Sequence, residues 1–456
     1  MVIHHLGFEL VLIFRRGSVV LFITFFGELQ LIDSKKSIWS WALYDWANSA
    51  FATTVMAGFF PVFFKEYWSN TDSVTLSTWY LGLANSIASI VVAAIAPFIG
   101  AIADRGTAKK KLLILFAFLG IISTGALWIV KQGEWQMAVM FYVFASIGFA
   151  AGNIFYDSLL PGVASKKKID FTSSLGYALG YIGGGTLFLI NVLMYQFPHL
   201  FGIVNGAVAI RISFITVSIW WAVFSIPIIL FVKEPKIHKP IGIGSAIGAG
   251  WRQLIDTIHD IKHLKVVGMF LLAYWFYIDG VDTIVKMAVD YGTSLGFSAS
   301  SLITALLLVQ FIAFPATLGY HWFASKVGIK KAVYVAILGY AFITIFGVFM
   351  TEQWHFYTLA IFIACFQGGI QALSRSMYSR IIPKEKAAEF YGFYNMLGKF
   401  AAIVGPTLMG YVGLVTGNPR LGILSLIILF FVGGFILMKV DLDEGERIAK
   451  EYLSKE

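Results

Sequence analysis

Two segments decide the fold, "NIFYDSLLPGVASKKKIDFTSSLGYALG" at residues 153–180 and "QALSRSMYSRIIPKEKAAEFYGFYNMLG" at residues 371–398. They resemble each other in register, because Asp157 of the first and Arg375 of the second differ by 375 − 157 = 218 positions. The same offset relates further residues along both segments: Ser158 to Ser376, Lys168 to Lys386, and Leu179 and Gly180 to Leu397 and Gly398. The pattern predicts a chain of two halves related by duplication.

The composition indicates a chain that crosses a membrane many times. Only 13% of the 456 residues are charged and 58% are hydrophobic, whereas a soluble domain carries about 25% charged residues. The 44 glycines and 42 phenylalanines fit membrane helices, where aromatic rings anchor interfaces and glycine lets helices approach closely. We expect an all-α polytopic membrane protein, since the apolar runs do not alternate as barrel strands do.

Twelve apolar runs are each long enough to cross a hydrocarbon core about 30 Å thick. We number them spans 1 to 12: residues 39–64, 78–103, 111–131, 136–160, 172–197, 212–232, 264–288, 299–323, 331–350, 355–378, 390–414 and 421–440. With the repeat, they predict two six-helix halves and the following organisation: an extension outside the core at 1–34, an N-terminal half at 35–232, a linker at 233–263, a C-terminal half at 264–440 and a tail at 441–456.

The basic residues lie in alternate loops and set the expected orientation. They cluster at 105–111, 166–168, 233–265, 326–331 and 380–386, while the opposite loops hold isolated bases. By the positive-inside rule both termini are cytoplasmic, and we expect a bacterial inner membrane. The same placement assigns the net charge of +9 to the lipid bilayer as partner and not to nucleic acid.

The linker predicts a surface helix and no metal site. Trp251, Leu254, Ile255, Ile258 and Ile261 recur at helical spacing, as in an amphipathic helix on the cytoplasmic membrane face or in the target of a regulatory partner. His259 and His263 are two possible ligands at i and i+4, which is too few for a metal site, and the single Cys365 cannot form an intrachain disulfide.

Ionisable residues inside the spans are the candidate functional groups, because charge at membrane depth is costly and marks a pathway by default. In span 7, Asp282 and Lys286 can pair at i and i+4, and Asp279 lies on the same face without a local partner. Asp157 of span 4 and Arg375 of span 10 are an acid and a base that can face each other across the halves as a two-state gate, or can both snorkel to the interface.

Further polar residues accompany these charges. Span 1 holds Asp45, and Lys399 of span 11 is a candidate partner for Asp45 or for an acid on a neighbouring helix. The weaker candidates share a position on spans 1, 4 and 10: Tyr44, Trp46, Asn48, Asn153, Tyr156, Gln367 and Gln371.

The loop "GAIADRGTAKKK" at residues 100–111 resembles the signature of the major facilitator superfamily, although Gly106 comes one position early and Thr107 replaces the second glycine. A second, weaker copy is "HWFASKVGIKK" at residues 321–331. The resemblance implies that Asp104 and Arg105 hold the cytoplasmic side shut in one state, by pairing with neighbours or with helix dipoles. A role in topology alone is the alternative.

Three motifs narrow the resemblance to one branch: "YDWANSAF" at 44–51, "FYIDGVDTI" at 276–284 and "GGIQALSRSMYSRIIPKEKAAEFYGFYNMLGK" at 368–399. They are similar to the bacterial relatives of the autophagy-linked vacuolar effluxers, over roughly residues 35–439. The resemblance implies that Tyr44, Asp45, Trp46 and Asn48 line or gate a central cavity surrounded by helices 1, 4, 7 and 10. In fungal members the implied activity is export of amino acids.

These observations predict a monomeric secondary transporter and not an enzyme. We expect alternating access that moves a small polar solute, an amino acid first and a sugar or other metabolite second. The "GGG" at 183–185 lacks the lysine of a phosphate loop, so we expect no nucleotide or other cofactor and a proton gradient as driving force, with facilitated diffusion left open. A non-transporting membrane sensor and a membrane-embedded enzyme are the alternatives from other classes.

Overall fold

The computed structural model describes residues 2–5, 8–15, 18–25, 32–69, 74–106, 108–234, 252, 255, 264–297 and 299–452. The predicted amphipathic helix of the linker, with His259 and His263, lies outside these residues. Within them, twelve helical segments follow one another between residues 35 and 438, and each coincides with one of the predicted spans.

The first segment is irregular, which the apolar pattern did not predict. It consists of α1 (Lys35–Ala50), a π-helical stretch (Phe51–Phe59), α2 (Phe60–Phe63) and a second π-helical stretch (Phe64–Trp68). A π-helix opens the hydrogen-bonding ring to i→i+5, and it occurs frequently at functional sites.

The other segments are mostly continuous α-helices. They are α3 (Val74–Gly106), α4 (Lys109–Ala126), α5 (Trp135–Val163), α6 (Ile169–Gln196), α7 (Gly206–Phe231), α8 (Lys265–Ser294), α9 (Ala299–Val327), α10 (Ile329–Val348), α11 (Gln353–Ile381), α12 (Ala387–Thr416), and the pair α13 (Pro419–Ser425) and α14 (Ile427–Met438), followed by the tail helix α15 (Leu442–Tyr452). Short 3-10 turns occupy Leu127–Ile129, Pro198–Phe201 and Lys384–Lys386.

Ten helices are long and apolar enough to cross a membrane, judged over the described residues alone. The first segment, divided by its π-helical stretches, is not among them. α12 is not among them either, because its apolar stretch, Val404–Thr416, is shorter than a membrane span. The all-α membrane fold is therefore confirmed, while the count of twelve spans stays a prediction.

Three strands precede the helices, a feature that the sequence did not predict. β1 (Val2–His5), β2 (Phe8–Arg15) and β3 (Ser18–Phe25) form an antiparallel sheet in chain order. Val, Ile and Phe fill these strands, which are residue types enriched in sheets. The strands fall within the extension that the sequence analysis placed outside the helical core.

Two hydrophobic cores divide the helices nearly at the predicted boundary. One core is built from α1 to α7 and the other from α8 to α14. The second core also takes in Val92 of α3 and Ile154 of α5, and the first takes in Ala388 of α12. Helices α3, α5 and α12 therefore hold the two halves together.

Glycines permit the closest of these contacts between halves. A Cβ at Gly100 of α3 would lie 2.8 Å from the Cα of Glu389 and closer still to the Ala388 carbonyl oxygen. In the opposite direction, a Cβ at Gly392 of α12 would lie 2.6 Å from the Ala96 carbonyl oxygen. The backbones of α3 and α12 thus touch directly, as small residues allow in membranes.

We expect Gly100→Ala to lower the thermal stability of the purified protein and Gly319→Ala to leave it unchanged. The added methyl group at Gly100 overpacks the contact between α3 and α12, which costs about 1–3 kcal/mol. Gly319 is the matched control, since a Cβ there meets nothing within 4 Å. Equal midpoints of thermal unfolding in detergent for the two variants would contradict the close contact.

Candidate functional site

A buried arginine joins the two halves. Arg375 lies on α11, and only 2% of its side chain is exposed. Its Nη1 atom lies 3.0 Å from Oδ1 of Asp157 on α5 and 3.5 Å from Oδ2 of Asp45 on α1. The guanidinium also donates to Ser173 of α6, from Nε to the hydroxyl at 2.9 Å and from Nη2 to the carbonyl oxygen at 2.8 Å. We call Arg375, Asp45 and Asp157 the arginine cluster.

Aromatic rings surround the guanidinium. The ring centroids of Tyr177, Trp41 and Tyr156 lie 4.2, 4.8 and 5.5 Å from its central carbon, within the range of cation–π attraction. Tyr156 also donates its hydroxyl proton to Oδ2 of Asp45 at 2.8 Å. Trp41 stacks on Tyr156 at 4.3 Å between centroids and donates from Nε1 to its carbonyl oxygen at 2.9 Å.

The arginine cluster brings two candidates of the sequence analysis into contact. Asp157 and Arg375, related by the repeat offset, are in direct contact, so the acid and the base do face each other across the halves. Among the described side chains, Asp45 pairs with Arg375 and accepts a hydrogen bond from Tyr156. The side chain of the candidate Lys399 lies outside the described residues. Whether this contact opens and closes during function stays a prediction.

A glycine on α6 makes room for the cluster. A Cβ at Gly176 would lie 2.7 Å from Oδ2 of Asp45, 2.8 Å from the hydroxyl of Tyr156 and 3.0 Å from Nη2 of Arg375. Any side chain at position 176 would therefore push apart the groups that neutralise the arginine.

Other polar contacts between the halves lie toward the same end of the helices, which we call the basic-loop face because the loops at 105–111, 166–168 and 380–386 meet there. Ser173 donates its hydroxyl proton to the carbonyl oxygen of Ala372 at 2.8 Å. Tyr181 donates to Oε1 of the predicted site residue Gln371 at 3.0 Å. The halves are thus closed against each other at the basic-loop face.

Asp104 forms a second contact between halves at this face. Its carboxylate accepts from the backbone amides of Ala388 at 3.2 Å and Glu389 at 2.8 Å, in the first turn of α12, and lies 2.7 Å from Nζ of Lys109. A carboxylate at a helix N-terminus is favoured by the helix dipole. This geometry matches the expected pairing of Asp104 with helix dipoles, whereas the side chain of Arg105 lies outside the described residues.

The tail helix forms a third contact, which we call the tail contact. Arg380 of α11 lies 2.7 Å from Asp170 of α6 and 3.4 Å from Glu446 of α15, and Glu446 lies 2.7 Å from Lys166. Burial raises the pKa of the Glu446 carboxyl, but the hydrogen bonds and charges of Lys166 and Arg380 outweigh burial and hold that pKa below the ordinary glutamate value. The ionised tail helix thereby bridges the N-terminal and C-terminal halves.

The charged stripe of α8 divides into two environments. Lys286 lies 3.6 Å from Asp282 as predicted, and these side chains are 52% and 28% exposed. Asp279 is 1% exposed, and it accepts from the backbone amide of Gly405 on α12. The exposed pair lies in the part of α8 remote from the basic-loop face.

Partners within the N-terminal half account for four of the remaining predicted residues, Tyr44, Trp46, Asn48 and Asn153. Asn48 donates to Asn153 at 2.6 Å. Tyr44 is buried beside Tyr156, with ring centroids 5.1 Å apart. Trp46 stacks on Trp220 at 5.5 Å between ring centroids. Gln367 is buried on α11.

The sequence analysis missed Ser173, Tyr177 and the tail residue Glu446. A signal for Ser173 did exist, since the offset of 391 − 173 = 218 relates it to Tyr391. Tyr391 donates its hydroxyl proton to the carbonyl oxygen of Arg375 at 3.2 Å, so both repeat positions contact the same residue.

The chain has the fold of the major facilitator transporters. The crystal structure of the human organic anion transporter MFSD10 (TETRAN) matches with a TM-score of 0.68 at 13% identity, covering 88% of this chain and 99% of that chain. At this identity the match establishes the fold.

The particular family follows from sequence. The family model described as "Vacuole effluxer Atg22 like" matches residues 68–450, and the chain belongs to this family. The uncharacterized MFS-type transporter YxiO of Bacillus subtilis (strain 168) is 37% identical over 417 residues, which cover 90% of this chain and 96% of that protein. Autophagy-related protein 22 of Yarrowia lipolytica is 22% identical over 514 residues, covering 93% of this chain and 84% of that protein.

We expect Arg375→Gln to destabilise the folded protein by about 3–5 kcal/mol, because it leaves two buried carboxylates without their cation. Adding Asp157→Asn should recover part of the loss, which a double-mutant cycle of unfolding in detergent measures. The exposed Arg447→Gln is the control and should unfold like the wild type. Strictly additive effects of the Arg375 and Asp157 substitutions would contradict their coupling.

We expect acid to release the tail helix. Because the pKa of Glu446 is lowered in the folded state, its contribution is present above the ordinary glutamate pKa and is lost as the pH falls through the lowered value. Glu446→Gln should release the helix already at neutral pH, seen as faster hydrogen exchange in residues 442–452. Glu444→Gln is the matched control, since the described ion pair of Glu444 lies within α15, with Arg447. Equal protection in both variants would rule out the tail contact.

Proposed function

We propose that this transporter moves a small polar solute by alternating access, driven by a proton gradient. The observation that carries the proposal is the arginine cluster, in which two membrane carboxylates from one half share a single guanidinium of the other half. A proton bound by either carboxylate removes a charge that attracts Arg375. Proton binding and separation of the halves at the basic-loop face would then be linked.

Amino acids are the preferred solutes. A zwitterion carries both an ammonium and a carboxylate, and the partly exposed pair of Asp282 and Lys286 presents both complementary charges. The family description "Vacuole effluxer Atg22 like" supports export. A sugar or another metabolite is the second candidate, since Asn48, Asn153 and Gln371 supply uncharged hydrogen-bonding groups in the same bundle.

The working protein in this proposal is a monomer in the bacterial inner membrane with both termini in the cytoplasm. It needs no cofactor, because the proton gradient supplies the free energy. On this orientation the basic-loop face is the cytoplasmic face. The halves are then closed against each other on the cytoplasmic side, as in one end state of an alternating-access cycle.

The decisive experiment begins with a thermal-shift screen of the purified protein against amino acids, sugars and nucleosides. The stabilising solute is then followed in proteoliposomes under an imposed pH gradient. We expect Asp45→Asn and Asp282→Asn each to abolish gradient-driven uptake, because each removes a titratable or solute-binding carboxylate from the path.

Asp443→Asn is the matched control, since Asp443 is exposed on the tail helix, and it should transport like the wild type. Normal gradient-driven uptake by both membrane variants would refute the coupling role. A flat thermal-shift response to every solute class would instead favour a membrane sensor built on the transporter fold.

A further inference from the structure

Outside the arginine cluster, the buried carboxylate of Asp279 accepts a hydrogen bond from the backbone of a neighbouring helix. Asp279 lies 14 residues into α8, about 21 Å along a helix that is about 45 Å long. Its Oδ1 and Oδ2 atoms lie 3.0 and 2.9 Å from the Gly405 amide nitrogen of α12, and the Thr283 hydroxyl donates to Oδ1 at 3.4 Å. The carboxylate therefore binds α12 near the middle of the membrane.

The bound amide adjoins a break in the hydrogen bonding of α12. Pro406 follows directly within the helix. Proline has no backbone N–H, so the carbonyl of Ala402 loses the donor it would otherwise have in the ladder. Such a site is where a membrane helix bends most readily. Asp279 thus holds α12 at the point where the helix resists bending least.

Only glycine fits at position 405. A Cβ there would lie 2.7 Å from Oδ1 of Asp279 and closer still to the Thr283 hydroxyl. The sequence therefore combines a residue that admits the carboxylate with a residue that weakens the helix.

The surroundings of Asp279 supply little compensation for a negative charge. The charged groups nearest to it, Asp282 and Lys286, lie on α8 itself and pair with each other. From the packed neighbours, α14 presents Phe430 against Gly280, α11 presents Ser374 to Tyr277, and α12 presents Tyr394 to Tyr274. Among the described side chains no cation contacts Asp279, and an ionised carboxylate so placed is costly.

We propose that Asp279 is a proton-binding site whose occupancy controls the bending of α12 at Gly405 and Pro406. The ionised carboxylate accepts strongly from the Gly405 amide and keeps α12 against α8. A proton taken from water converts it to a neutral acid, which accepts more weakly, and α12 is then free to bend. The link to solute movement rests on the proposed proton-coupled transport, whereas the proton-dependent bend does not.

The bend has a defined route to the basic-loop face. The N-terminal turn of α12 is held there by Asp104 through the amides of Ala388 and Glu389. A bend at Gly405 changes the angle of the segment that Asp104 holds. Protonation in the middle of the membrane would therefore loosen a contact about 24 Å away along the helix, at a rise of about 1.5 Å per residue.

Hydrogen exchange of the wild-type protein in nanodiscs tests the bend without any transport assay. Labelling times are scaled to the intrinsic exchange rate at each pH, and the peptide covering residues 401–410 is followed. We expect roughly tenfold faster exchange at acidic than at alkaline pH, equivalent to about 1.4 kcal/mol. Asp279→Asn should exchange fast at both pH values, and Asp443→Asn, the control on the exposed tail helix, should keep the wild-type pH response.

Two results would overturn the proposal: exchange of the wild-type peptide that does not depend on pH, or an Asp279→Asn variant that keeps the wild-type pH response. Proteoliposome uptake separates this inference from the proposed function. A pH response that depends on Asp279, found without gradient-driven uptake, supports the bend and refutes proton-coupled transport. Normal gradient-driven uptake by Asp279→Asn, together with hydrogen exchange that keeps the wild-type pH response in this variant, gives the opposite result. It refutes the bend and supports proton-coupled transport through other carboxylates.

Discussion

The closed arrangement of the two halves depends on neutralising one guanidinium deep in the protein. Taking a cation out of water costs several kcal/mol unless opposite charges and hydrogen bonds replace its hydration. Around Arg375, two carboxylates, a hydroxyl, a carbonyl oxygen and three aromatic rings take the place of water. Because these groups come from α1, α5 and α6, satisfying the arginine also fixes how those three helices meet α11.

The arginine cluster, Asp104 and the tail contact all join the halves at the basic-loop face, and they differ in their exposure to water. The arginine cluster is buried in the bundle, Asp104 is buried at the end of α3, and the tail contact around Glu446 is partly exposed. Exposed ion pairs are weak and screened by salt, whereas buried ones break only when a charge is removed. The tail contact is therefore the one of the three that salt weakens most.

Much of the fold could be predicted because membranes impose simple rules on sequence. Apolar run length predicted the helices, and the repeat offset offered the facing of Asp157 and Arg375 as one of two alternatives. The partner of Asp45 could not be predicted, because Arg375 lies 330 residues away and nothing local distinguishes it from Lys399. Ser173 and Tyr177 are residue types found throughout the chain, so only their position around the guanidinium marks them. The π-helical stretches and the N-terminal strands leave no mark in apolar periodicity.

The glycines of α6 have a consequence for where Asp45 lies in the bilayer. Gly176, Gly180 and Gly184 recur every four residues, and they contact Asp45, Ser49 and Thr53 of the first helical segment, which also recur every four residues. The side chains of the first helical segment pack against the glycines of α6 once per turn. A shift of one helix by one turn would move Asp45 about 5.4 Å away from Arg375. The depth of the carboxylate is therefore set by protein packing and not by lipid. Changes in bilayer thickness, which tilt or displace single helices, would leave the arginine cluster in register.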